Sequence, residues 1–154
     1  MFKEYDDYIE YKHIGVYGLV IKDDKILLIK KVSGPYDGKL DLPGGSIEFR
    51  ERPEDALKRE FMEEVGIDVK KYKLFDVDSV NPDWKWEGKP VKTHHIGIFY
   101  TIEDYENEIK REVEITEVND DSLGADFYEI KDLKKDNLSL IVIMELEKLG
   151  YKIN

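Results

Sequence analysis

Between Gly45 and Ile67 a glycine bend is followed by spaced acidic residues and one arginine: Gly45, Glu51, Arg59, Glu60, Phe61, Glu63, Glu64, Gly66 and Ile67. Carboxylate oxygens gathered beside a glycine carbonyl suit a hard cation such as Mg²⁺ or Mn²⁺. Such an ion neutralises phosphate oxygens and activates water, so the chemistry within reach is cleavage of a pyrophosphate. With no Cys and three His in the chain, a thiolate zinc site is excluded.

The elements around these residues must bring them together. Leu42-Pro43-Gly44-Gly45 is a breaker cluster that ends a strand and turns the chain. Pro53 suits a first helical position, Glu54 and Asp55 suit the positive end of a helix dipole, and Gly66 suits a stop. A helix over 53–65 is therefore predicted. Leu57, Phe61 and Val65 would form its core-facing stripe, with Glu60, Glu63 and Glu64 beside it on an arc of roughly 100°. Carboxylates three and four residues apart repel on a bare helix. Arg59 can pair with Glu63, but one guanidinium does not neutralise three carboxylates, whereas a bound cation can. An acidic helix face is most often plain solvated surface. The diglycine turn, Glu51 and Arg59 tilt this one toward a site.

The pattern G-x5-E-x7-R-E-U-x-E-E-x-G-U (U, bulky apolar), with its Leu-Pro-Gly-Gly lead-in, resembles the signature of the Nudix (MutT-related) hydrolase family. The resemblance implies an α/β fold, an α/β/α sandwich built on a mixed sheet. It implies metal-dependent hydrolysis of a nucleoside diphosphate linked to a group X, with Mg²⁺ or Mn²⁺ as cofactor. Carried over by position, Glu60, Glu63, Glu64 and the Gly44 carbonyl would be metal ligands. Glu60 or Glu64 would be the base, and Arg59 would orient a neighbouring carboxylate, Glu51. A further acidic ligand could come from 103–121. Two positions depart from common family patterns: Leu40 stands where many members have an aromatic, and Ser46 where related nucleoside triphosphate pyrophosphohydrolases can carry a lysine that assists the leaving group. Nucleoside triphosphates and ADP-ribose-type nucleotide sugars both remain open as substrates. The alternative is a catalytically silent nucleotide-binding regulatory module of the same fold.

A chain of 154 residues is read as one domain, 1–154, large enough for a core without disulfides. The N-terminus lacks an apolar run behind a basic start and no segment reaches membrane-spanning length, so a cytoplasmic protein with no membrane partner is expected. A net charge of −11 argues against a nucleic-acid polymer and for a small nucleotide. Lys30, Lys31 and Lys39 precede the bend and could meet the substrate anion. The segment 81–89 reads as a polar loop in which Trp84 and Trp86 could stack on a base. Pro82 in that segment resembles a marker of ADP-ribose-type members.

Strands are expected over 13–21 and 25–31, joined at Asp23-Asp24, and over 72–80, 91–102 and 126–130. A second helix would run from an Asn137 cap to a Gly150 stop. His94 and His95 are assigned structural roles on opposite strand faces. Tyr5, Tyr8 and Tyr11 are assigned to packing of an N-terminal strand, with a homodimer over them as the other option.

Overall fold

The computed structural model describes residues 1–112 and 122–154. Its larger sheet has a central parallel pair, β2 (Ile9–Leu19) and β9 (Lys89–Glu106), with Ile9 opposite Val91 and Leu19 opposite Thr101. Antiparallel neighbours complete it: β1 (Phe2–Glu4) and β6 (Gly44–Ser46) on β2, β7 (Asp68–Val80) and β8 (Asp83–Trp86) on β9. The sheet is thus mixed. In the second sheet β4 (Lys25–Lys31) pairs with β3 (Ile21–Lys22), β5 (Leu40–Asp41) and β10 (Ser122–Glu129), all antiparallel. The turn joining β3 to β4 places Asp23 and Asp24 at positive φ (52° and 58°), as a tight hairpin requires.

Alternation along β2 divides the core. Val16 and Val20 join the cluster under α1 (Pro53–Glu64), while Tyr17 and Leu19 join the cluster under α2 (Leu140–Lys148). The two helices therefore cover two separate cores in an α/β/α sandwich. Leu57, Phe61 and Val65 are fully buried, as the helical stripe predicts. Gly18 makes the fit of Phe61 close, because a Cβ there would overlap its ring.

Several elements differ from expectation. The first helix ends at Glu64, with Val65 as cap and Gly66 at φ 83°. The second helix is capped by Ser139, whose Oγ accepts from the Val142 N–H, while Asn137 lies in a preceding 3-10 turn. The segment 81–89 is not a loop: Asp83–Trp86 pairs with β9 through a turn at Glu87 and Gly88. The strands 68–80, 89–106 and 122–129 all begin earlier than read from the apolar pattern.

Helix α2 is tied down at both ends. At its start Ser139 Oγ donates to Asp41 Oδ1 at 2.7 Å. Near its end Lys148 reaches Asp76 and Asp78, each at 2.5 Å. Fully buried Glu145 sits beside this lattice. Its carboxyl is pushed from 4.5 up to about 8, first by burial and then by the neighbouring Asp76 carboxylate. The folded protein therefore keeps a proton that the unfolded chain releases near 4.5, so stability present at the acid end is lost as pH rises toward 8. Glu145→Gln removes that titration. Its stability advantage over the parent, read from urea midpoints, should grow by about 1 kcal/mol or more between roughly pH 5 and 8. A constant difference across that range would contradict the assignment.

Candidate active site

The glycine bend is held as a strand. Tyr17 lies opposite Gly44, Val16 opposite Gly45 and Gly15 opposite Ser46, which fixes the bend against the centre of the sheet. Gly44 has φ 142°, and a Cβ there would overlap the Val16 carbonyl oxygen. Glu64, 5% exposed, extends from α1 beneath this bend and accepts a 2.9 Å hydrogen bond from the Gly44 N–H. The carboxylate of Glu60 lies against Gly45, where an added Cβ would stand 2.8 Å from its Cδ. Both glycines are therefore required by contact: one by backbone, the other by a carboxylate.

Arg59 organises the open side of this edge. Its Nε and Nη2 grip the two oxygens of Glu51 at 2.8 and 2.9 Å, and Nη2 also donates to the Ser46 carbonyl at 3.0 Å. Its Nη1 reaches Glu60 at 3.0 Å and Glu63 at 3.3 Å, with Glu48 at 3.7 Å. The hydrogen bond from Arg59 holds the Glu51 carboxyl down at about 2, and the same bond raises Arg59 above its ordinary value. One guanidinium thus faces Glu48, Glu51, Glu60 and Glu63, with Glu64 buried alongside. The excess negative charge and all-oxygen donor set fit a hard divalent cation. Among the described residues no group of three or more His, Asp or Glu side chains is already gathered tightly enough to hold an ion. Arg59 holds Glu60 and Glu63 instead.

A cavity of about 300 Å³ opens from this edge, reaching from Gly44, Gly45, Ser46 and Glu60 to His13, Tyr17, Tyr36 and His95. The parallel register sets Tyr11 beside Thr93 and His13 beside His95, and these four line the cavity together with Tyr17. The two imidazoles stack with centroids 4.7 Å apart. Tyr17 folds over Gly15, where a Cβ would overlap its ring, and its hydroxyl meets His95 Nε2 at 2.6 Å. Tyr36 meets the opposite nitrogen, Nδ1, at 3.1 Å. Burial lowers His95 to about 3 and His13 to about 4, so both rings are neutral at physiological pH. Among the described residues Lys31 is the only cation lining the cavity, against Asp41 and Glu60.

Of the residues singled out from sequence, Gly44, Glu51, Arg59, Glu60, Glu63 and Glu64 come together around the bend. Lys39 does not line the cavity; it reaches the Asp136 carbonyl at 3.4 Å. Trp84 is half-buried with its indole N–H on Thr93 Oγ1 at 3.0 Å, and Trp86 is exposed on the hairpin; neither lines the cavity. Within 103–121, Glu103 pairs with Lys71 and Glu106 with Lys70, while 113–121 lie outside the described residues. His94 is exposed and His95 buried, as alternation requires. Sequence reading missed His13, Tyr17, Tyr36 and Asp41. Alternate polar and aromatic residues at 11, 13 and 17 and at 93, 95 and 99 were the available signal.

These features define a hydrolase-type acidic helix and glycine bend on an α/β/α sandwich, and comparison with known proteins agrees. The NUDIX domain model matches residues 11–142, and the chain belongs to the Nudix hydrolase family. It is 34% identical over 122 residues to an ADP-ribose pyrophosphatase from Methanocaldococcus jannaschii, covering 79% of this chain and 64% of that protein. It is 43% identical over 63 residues to the 8-oxo-dGTP diphosphatase of Escherichia coli, covering 34% and 49% of the two chains. The chain thus spans about half to two thirds of these curated relatives' length. A crystal structure of a MutT NUDIX hydrolase from Burkholderia pseudomallei superposes with TM-score 0.72 at 26% identity, covering 90% of this chain and 98% of that one.

Proposed function

We propose that this protein hydrolyses the pyrophosphate bond of a nucleoside diphosphate linked to a further group, with Mg²⁺ or Mn²⁺ held by Glu60, Glu63, Glu64 and the Gly44 carbonyl. The observation that carries this reading is the joining of buried Glu64 to the glycine bend by the Gly44 N–H, with Glu60 lying at the mouth of an adjoining cavity. The similarity to pyrophosphatases supports the same reaction class.

When bound, the ion supplies charge neutralisation on the phosphates and lowers the pKa of a water. The chain's own groups do the rest. Glu60, which lines the cavity, takes the proton from the attacking water, and the bridging oxygen leaves on the other phosphate. Glu64 is held against the bend by the Gly44 N–H. Arg59 fixes Glu51 and holds Glu60 and Glu63 beside the bend, where they would hold the ion. The cavity receives the group beyond the pyrophosphate, a small nucleotide moiety rather than a polymer. No helix among the described residues is long and apolar enough to cross a membrane. A cytoplasmic enzyme acting on dissolved nucleotides fits this reading.

The test is incubation with Mg²⁺ and a panel of nucleoside triphosphates and nucleoside diphosphate sugars in ¹⁸O-labelled water. The expected result is one labelled phosphate product per bond cleaved, abolished by a chelator. Retained nucleotide binding without turnover would instead identify a silent regulatory module.

A further inference from the structure

The glycine bend is followed by Ser46, and His13 stands behind it with Nε2 2.8 Å from Ser46 Oγ. The pair lies at the junction of the two halves of the site. The Ser46 carbonyl accepts from Arg59 on the acidic edge, and Ser46 and His13 both line the cavity. The His13 ring is held in place by stacking on His95, whose own nitrogens are occupied by Tyr17 and Tyr36. With Nε2 carrying the proton, His13 donates to Ser46 and leaves the serine hydroxyl to donate outward. The result is a fixed, neutral donor beside the bend.

We propose that Ser46 and His13 are specificity-determining residues, with His13 orienting the Ser46 hydroxyl to donate to a bridging phosphate next to the glycine bend, favouring a substrate whose two phosphates are both substituted over one ending in a terminal phosphate. This rests on the reading of the site given above. A bridging phosphate carries one negative charge, which a neutral donor matches. A terminal phosphate carries nearly two at neutral pH and calls for a compact cation at the same place. Lys31 is balanced in the cavity by Asp41 and Glu60, so the lining leaves no surplus of positive charge among the described residues.

The experiment compares kcat/KM for a nucleoside diphosphate sugar and for the matching nucleoside triphosphate, at saturating Mg²⁺, in the parent, His13→Ala, His13→Gln and Ser46→Lys proteins. Thermal midpoints check folding, and exposed Ser46 leaves room for lysine. His13→Ala should lower kcat/KM on the sugar by about 10-fold or more, mainly through KM, because the Ser46 hydroxyl loses the donor that aims its own hydrogen at the charged phosphate. His13→Gln, which keeps a neutral donor, should recover much of it. Ser46→Lys should shift preference toward the triphosphate by about 10-fold. Unchanged preference in Ser46→Lys, or parental kinetics in folded His13→Ala, would overturn the proposal while leaving the hydrolytic site standing. A parent protein that cleaves neither substrate would bring down the site reading and this proposal together.

Discussion

Replacing Glu64 by Gln should lower turnover with saturating Mg²⁺ by about 10²-fold or more, the scale seen when a preorganised electrostatic group is removed. The substitution keeps size and shape, and the amide oxygen can still accept from the Gly44 N–H, so the bend should hold its place. What disappears is a charge buried at 5% exposure, next to the proposed ion. Glu63→Gln should show a loss of the same order from the opposite environment, since its side chain is 44% exposed and paired with Arg59. Steady-state kinetics at several Mg²⁺ concentrations, with thermal midpoints as a folding control, measure both. Near-parental rates in both folded variants would contradict the assignment.

Gly44→Ala and Gly45→Ala should separate stability from activity at neighbouring positions. At Gly44 the new methyl would overlap the Val16 carbonyl oxygen and stand 2.8 Å from the Tyr17 Cα, both backbone atoms of a central strand. Its φ of 142° adds strain that side-chain rearrangement does not relieve. A loss of about 3 kcal/mol or more in unfolding free energy is expected. At Gly45 the obstacle is the Glu60 carboxylate, at 2.8 to 2.9 Å, which can rotate away. Gly45→Ala should therefore keep most of its stability while displacing Glu60 and losing most of its activity. Denaturant titration and kcat read the two effects. Equal stability losses at both positions would show that the contacts have been wrongly apportioned.

The parts of the site legible in sequence are those written in local chemistry. Pro53 starts α1, Gly66 ends it, and the 3.6-residue period sorts Leu57 and Phe61 from the acidic edge. The positions of Glu60, Glu63 and Glu64 follow from that period alone. The depth of Glu64 does not, because it depends on where the bend lies over the helix. Nor could β6 be read: Gly44-Gly45-Ser46 has no strand propensity and is extended only because β2 pairs with it. The cavity floor was least legible of all. His13 and His95 meet through a parallel register across a long stretch of chain, and no local signal reports such a pairing. Trp84 shows the converse: aromatics in a polar segment resemble exposed stacking groups, yet pairing of Asp83–Trp86 with β9 turns one indole onto Thr93. Ser139 outranks Asn137 as a helix cap because it is also held from below by Asp41.

The central claim is that the acidic edge of α1 and the glycine bend together hold a divalent cation. Titration with Mn²⁺, followed by electron paramagnetic resonance, tests it without relying on turnover. Saturable binding in the parent protein, weakened at least about 10-fold in Glu60→Gln and Glu64→Gln and displaced by Mg²⁺, is the predicted result. Binding of equal strength in parent and folded variants would place the ion elsewhere and contradict the account.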